Sequence, residues 1–193
     1  CYKCRNDTTN MERDTTNPLK MYGKTKLEGE KVIQAVDGKY FIFRTSWVYT
    51  RRPKSFVGKV LSWARQQLEL KIVDDQIGSP TWAAALAETS AQAALIALER
   101  GPDWISEHRG VYHLGGRGQC TRKEWAEEII RLDPYKDEQV VQGVVSAKSS
   151  DYRTPAERPL YSALDCSKFE SVFGLHLQFW MESLRLCLEE LGL

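Results

Sequence analysis

The sequence predicts an α/β protein with a mostly parallel sheet. Short β-branched and aromatic runs recur along the chain, stretches of helical period stand between them, and helix-cap residues mark several of the boundaries. Strands that alternate with helices are joined by crossover connections, and such connections give a parallel sheet. There is no internal repeat and no low-complexity segment.

Residues 1–16 are polar and rich in Thr, Asn, Asp and Arg, and read as loop. Asn17 as N-cap and Pro18 at the first helical position open a helix to about Val36, ended near Asp37-Gly38. "YFIFRTSWVY" (40–49) is a buried strand with its exit loop. Apolar residues at Phe56, Val57, Val60, Leu61 and Ala64 give 55–67 a helical period, and 70–75 is a short strand. Ser79 as N-cap and Pro80 in the first turn open a helix reaching about Leu98. "GVYHLGG" (110–116) is a strand ending in glycines. Thr121 with Glu124 forms a T-x-x-E capping box for a helix to about Leu132. Residues 139–146 read as an edge strand and 147–160 as irregular chain. Helices near 167–172 and 179–191 close the sequence. Trp63, Trp82, Trp125 and Trp180 sit at helical periods and are expected in the core. His113 is expected as a satisfied core or rim residue, while His108 and His176 have no partner evident in sequence.

The 193 residues suit one domain or one and a half, and 42% of them are hydrophobic, enough for a core. The net charge is +1, from 27 basic and 26 acidic side chains. That balance offers no electrostatic attraction to nucleic acid or an anionic membrane. No apolar run approaches the ~20 residues that span a bilayer. The polar start shows no signal peptide, and the initial Cys suggests a fragment or a processed chain. Five scattered cysteines argue for reduced thiols and a cytoplasmic location. Cys1 and Cys4 form a lone CxxC without a second ligand pair, so two terminal thiols compete with a metal site as its reading.

Tyr22 and Lys26 lie four apart on the first helix and share a face. A phenol titrates near 10 and is a poor acid at neutral pH; an ammonium beside it favours the phenolate. A tyrosine tuned in this way exchanges a proton with a carbonyl or alcohol oxygen, the chemistry needed beside a hydride transfer. The same spacing also arises by chance on surface helices. Here a strand follows, ending in the small polar pair Thr45-Ser46, and open α/β sheets bind ligands beyond the carboxyl ends of their strands.

"PLKMYGKTKLEGE", "FRTSWVY", "DDQIGSPTW", "GVYHLGG" and "RPLYSALD" occur in this order. Together they resemble the dTDP-4-dehydrorhamnose reductase family of the extended short-chain dehydrogenase/reductase superfamily, over nearly the whole chain from about Glu12. The resemblance implies a partial Rossmann-like parallel sheet with a smaller carboxy-terminal α/β substrate domain. Residues 1–50 would be a remnant of the dinucleotide-binding domain and 51–193 mostly the sugar-nucleotide domain, with 70–98 and 110–132 interleaving between the two. It implies reduction of dTDP-4-dehydro-L-rhamnose to dTDP-L-rhamnose with NADPH or NADH. Tyr22 would donate a proton to the C4 oxygen. Lys26 would tune Tyr22 and bond the nicotinamide ribose, and Thr45 and Ser46 would lie near the nicotinamide. Trp47 would pack on the sugar, with Ser55 beside it. Gln76 and Arg158 would face the nucleotide or its diphosphate; Arg158 is equally readable as a structural ion-pair residue. Family members can dimerise through carboxylates and a magnesium ion; part of that interface would be lost here and no motif fixes it, so the resemblance leaves a homodimer as one option and the oligomeric state open.

The sequence departs from the family at several points. It lacks the early glycine-rich turn that cradles a cofactor pyrophosphate, and "HLGGRG" (113–118) comes too late to serve. The Ser or Thr that the family carries on a strand before the catalytic helix is also missing. "TRRPKS" after the tryptophan is bulkier and more charged than the family pattern and puts sugar selectivity in question. The expectation is a truncated form with an exposed sheet edge, weak dinucleotide binding and slow or no turnover. A regulatory subunit, like the β subunit of methionine adenosyltransferase, or a related epimerase or dehydratase stands as the alternative. Trp47 favours the reductase.

Overall fold

The computed structural model describes residues 9–16, 18, 21–152 and 159–189. Helix α1 (Met21–Ala35) leads into β1 (Phe41–Arg44), then β2 (Val48–Tyr49) and α2 (Phe56–Ala64). β3 (Glu69–Val73), β4 (Ile77–Gly78) and β5 (Thr81–Trp82) precede the long α3 (Ala83–Arg100) and short α4 (Pro102–His108). β6 (Gly110–His113), β7 (Cys120–Thr121), α5 (Arg122–Leu132), β8 (Gly143–Ala147), β9 (Tyr161–Ser162), α6 (Ser167–Phe173) and α7 (Trp180–Glu189) follow.

The architecture is mixed α/β, as expected, but its strands group into four small sheets. β1 pairs in parallel with β6, β2 with β5, and β3 with β8; β4 runs parallel to β9 and antiparallel to β7. The run 40–49 is therefore two strands rather than one. Trp47, which takes φ 42°, a left-handed conformation that a bulky residue rarely adopts, lies in the break between the first ladder, which ends at Arg44, and the second, which starts at Val48. The expected helix start at Ser79-Pro80 is also corrected. Thr81 and Trp82 pair with Val48 and Tyr49, Ser79 donates its hydroxyl to the Gly118 carbonyl, and α3 begins at Ala83. Tertiary pairing overrides the local cap signal. The strand at 110–116 ends at His113, and α4 is an element the sequence reading lacks. The capping box stands: Thr121 accepts from the Glu124 N–H while Glu124 accepts from the Thr121 N–H. Asn17 as a cap, the CxxC of Cys1 and Cys4, and Arg158 lie outside the described residues.

Two buried clusters form the interior. One joins Tyr49, Val57, Val60, Leu70, Trp125, Ile129, Trp180 and Leu184, with Trp63 and Trp82 packed against it. The other is largely aromatic: Tyr112, Phe169 and Phe173 with Phe41 and Phe43. Its rings meet edge to face, Phe43 with Phe169 at 5.5 Å and Phe41 with Phe173 at 5.3 Å between centroids. All four expected core tryptophans thus contribute. His113 is fully buried and satisfied, with its N–H donated to Glu12 at 2.8 Å and its Nδ1 3.1 Å from the Asp165 carbonyl. His108 stacks on Trp104, their ring centroids 4.3 Å apart. Among the described residues Cys120, Cys166 and Cys187 form no disulfide. No helix of the described residues is long and apolar enough to cross a membrane.

Candidate active and ligand-binding site

α1 presents Tyr22 and Lys26 on one face, with the ammonium 5.6 Å from the phenol ring centroid. Tyr22 is 74% exposed. Gly23 is the buried residue of this helix, so its apolar packing is slight. A charged fork ties it down instead. Glu30, two turns on, accepts from Arg44 Nε at 2.9 and 3.1 Å and from Arg44 Nη2 at 2.5 Å. Arg44 is the last residue of β1, so the pair fixes the helix that carries Tyr22 to the carboxyl end of the strand.

Thr45 and Ser46 follow directly. Thr45 is exposed, while Ser46 is buried and its hydroxyl has no hydrogen-bond partner among the described residues. The Tyr49 hydroxyl and Trp125 indole N–H are likewise unpartnered among them. Burial, with Cys187 and Cys120 adding to it, pushes the Tyr49 phenol well up and keeps it neutral.

Trp47 is half-buried rather than an open platform. Its ring stacks on Trp125 at 5.6 Å and 16°. The Arg122 guanidinium lies 3.7 Å from its centroid. It also rests on Gly78, where a Cβ would stand 2.3 Å from the ring. Gly78 is therefore the residue that admits the indole.

A cavity of about 1040 Å³ opens beside this group, lined among others by Phe56, Trp63, Lys71, Gln76, Arg122, Ser149 and Tyr152. Its lining includes neither Tyr22 nor Lys26. Gln76 is buried and donates from Nε2 to the Ser149 hydroxyl at 2.9 Å, and Ser149 donates its N–H and hydroxyl to Asp75 at 2.8 and 2.7 Å. Ser55 acts as a helix cap. Its hydroxyl donates to the Thr50 carbonyl at 2.6 Å and accepts the Gly58 N–H at the start of α2.

The structure thus places Gln76 and Arg122 in the lining of one cavity, with Trp47 stacked against Arg122, and Tyr22 with Lys26 on a separate, exposed helix face. Sequence reasoning missed Arg122, Ser149 and Asp75. The signal for Arg122 is indirect: β7 pairs Cys120 with Gly78, and the Arg122 N–H bonds the Gln76 carbonyl at 3.1 Å, which brings the start of α5 to the cavity.

An α/β fold with these parallel pairs and a Tyr/Lys helix leading into a strand is that of the Rossmann-like reductases. The chain belongs to the RmlD substrate binding domain family, whose model matches residues 3–193. It is 37% identical over 175 residues to a dTDP-4-dehydrorhamnose reductase of Sinorhizobium fredii, covering 90% of this chain and 57% of that protein. It superposes on the crystal structure of a dTDP-4-dehydrorhamnose reductase from Clostridium acetobutylicum with a TM-score of 0.84 at 31% identity, over 100% of this chain and 63% of that one. The Bacillus anthracis reductase in complex with NADP matches at a TM-score of 0.80 and 28% identity, over 97% and 60%. The chain therefore spans about six-tenths of the length of these relatives.

Proposed function

We propose that this chain carries the tyrosine acid and the sugar-nucleotide side of a reductase acting on a dTDP-linked 4-keto-6-deoxy sugar, dTDP-4-dehydro-L-rhamnose to dTDP-L-rhamnose. One observation carries the reading: the Tyr22–Lys26 pair stands on the helix before β1 in a chain whose relatives bear that reductase's name. Residues 1–50 belong to the dinucleotide side and most of 51–193 to the substrate side.

NADPH is the cofactor this reading favours, supported by the relative in complex with NADP. The unpartnered hydroxyl of Ser46, buried at the end of β1, fits a polar group of such a ligand, with Thr45 beside it. When bound, the nicotinamide supplies a hydride. Tyr22 would give its proton to the C4 oxygen of the sugar, with the Lys26 ammonium beside it to bond the ribose hydroxyls. Trp47 flanks the sugar. Ser55 would shape the site's edge through its cap and Gln76 would face the nucleotide; the same role for Arg158 rests on the sequence alone, beside its reading as an ion-pair residue. A cytoplasmic location is part of the same reading. Homodimers held by carboxylates and magnesium belong to the resemblance, but among the described residues no three metal-ligating side chains converge within one copy, and no step of the reaction is assigned to that ion.

Titration of dTDP into the 193-residue chain, with NADPH followed by nicotinamide fluorescence, tests the reading. Micromolar dTDP binding supports the substrate half, and its absence refutes it. Micromolar NADPH binding would overturn the expectation of a weak cofactor site. Tyr22→Phe in a catalytically competent form should lower turnover by about 100-fold or more while leaving dTDP affinity unchanged. Turnover retained within a few fold would remove Tyr22 as proton donor.

A further inference from the structure

We propose that Ser149 and Asp75 are positioning residues that turn the Gln76 amide to read the imide edge of a thymine base, a role that rests on the sugar-nucleotide reading above. Asp75 accepts twice from Ser149: Oδ2 takes the backbone N–H at 2.8 Å and Oδ1 the hydroxyl at 2.7 Å. A carboxylate only accepts, so the single hydroxyl proton of Ser149 is committed to it. Toward Gln76 the same hydroxyl can then only accept, and it takes an N–H from Gln76 Nε2 at 2.9 Å. The orientation of the amide follows, with its nitrogen against Ser149 and its carbonyl turned away. Gln76 is 9% exposed and lines the cavity of about 1040 Å³. Its Oε1 has no hydrogen-bond partner among the described residues. A carbonyl buried to this degree is normally paired, so the cavity presents an acceptor waiting for a donor.

Ser149 is itself held in place. It opens a short turn, Ser149–Asp151, directly after the β3–β8 ladder. The Asp74 N–H bonds the Ala147 carbonyl at 3.0 Å, Lys148 Nζ donates to Asp74 at 2.8 Å, and the Tyr152 hydroxyl donates to the Lys71 carbonyl at 3.0 Å. The turn is thus pinned on both sides of Ser149, and the amide is pinned through it. What Gln76 has left is its carbonyl and one N–H. A phosphate oxygen brings only lone pairs, which the carbonyl repels. The imide of thymine carries an N–H between two carbonyls and satisfies both amide groups. The walls suit a flat base: Phe56, Trp63, Leu70, Ile72 and Tyr152 line the same cavity.

The test measures dTDP, N3-methyl-dTDP and 3′-deoxy-dTDP binding to the 193-residue chain by calorimetry, with Ser149→Ala and Ser149→Thr. Methylation removes the imide donor and leaves the Gln76 carbonyl unpaired, so it should weaken binding to the parent by about 10- to 100-fold. Removal of the 3′-hydroxyl, the other donor of dTDP, should change affinity by less than about threefold. Ser149→Ala frees the amide to turn its NH2 toward the carbonyls of the methylated base, and should cut the ratio of dTDP to N3-methyl-dTDP affinity by about fivefold or more. Ser149→Thr keeps the hydroxyl and should keep the ratio. Equal affinity of the parent for dTDP and N3-methyl-dTDP overturns the proposal without any variant. A penalty from the bulk of the methyl alone, or a Ser149 that only braces the turn, would leave the ratio unmoved in Ser149→Ala, and that result overturns it too. Loss of affinity on 3′-deoxygenation in place of methylation would give the Gln76 carbonyl to a hydroxyl and refute the base assignment. If the parent chain binds none of the three nucleotides, the sugar-nucleotide reading itself fails, and the role of Gln76 fails with it.

Discussion

Glu30 and Arg44 define the most direct test of how the Tyr22 helix is held. Their side chains are 16% and 17% exposed and meet through three contacts of 2.5–3.1 Å. Unit charges about 4 Å apart attract by about 4 kcal/mol at an effective dielectric of 20, before dehydration and side-chain entropy are subtracted. Exposed pairs retain about 0–1 kcal/mol of such attraction, while removing one partner of a fully buried pair costs about 3–5 kcal/mol. This pair lies between those limits. Glu30→Ala should cost about 2–3 kcal/mol, and the coupling in a cycle with Arg44→Met should be about 1–2 kcal/mol. Urea denaturation of the parent, two single variants and the double variant measures both. Hydrogen exchange should show the loss concentrated in α1, because that helix buries little apolar surface and the fork is its principal anchor. A coupling energy below about 0.5 kcal/mol, with α1 protection unchanged, would refute the reasoning.

Two further outcomes follow from the packing. Gly78→Ala places a Cβ 2.3 Å from the Trp47 ring and should cost about 1–3 kcal/mol, with loss of near-ultraviolet circular dichroism from the Trp47–Trp125 stack; an unchanged spectrum would mean the indole is not seated there. Burial holds the His113 imidazole below its ordinary value, with Arg44 acting the same way and Glu12 opposing. The unfolded chain therefore binds the extra proton first. Stability should be flat above about pH 7.5 and fall as pH drops through about 6.5, by at most about 1.4 kcal/mol per pH unit for this one proton. His113→Gln should flatten that part of the unfolding midpoint against pH.

The features legible in the sequence are those set locally. The capping box at Thr121 and Glu124 is read from four residues and appears as read. The apolar period of 55–67 yields α2, with Val57, Val60 and Ala64 buried. The tryptophans fall in the core because nothing in their surroundings gives them a polar role. What failed depends on distant partners. Ser79-Pro80 has the composition of a helix start, but its backbone is claimed by the pairing of Thr81 with Val48. The run 40–49 looks continuous because alternation cannot reveal one left-handed residue inside it. Ser55 is legible as polar chain near a site, yet its hydroxyl is occupied by a helix cap. Arg122 carries no signal of its own in sequence, being the first residue of a surface-patterned helix. Only the strand pairing of Gly78 with Cys120 brings it over Trp47.

Trp47 connects these parts. Its left-handed backbone stands between β1, which ends at Arg44, and β2, so one residue separates the buried Ser46 hydroxyl from the strand that enters the larger core. Non-glycine residues in that conformation cost about 1–3 kcal/mol and persist where the surroundings over-determine them. Here the surroundings are Gly78 beneath the ring, Trp125 stacked on it and Arg122 across it. The Thr81 N–H bonds the Trp47 carbonyl at 3.2 Å and completes the set. The helix that carries Tyr22 is tied to the same strand end through Glu30 and Arg44. The end of β1 is thus where the helix that carries Tyr22 and the buried, unpartnered Ser46 hydroxyl come together, while the cavity lined by Gln76 lies apart from them.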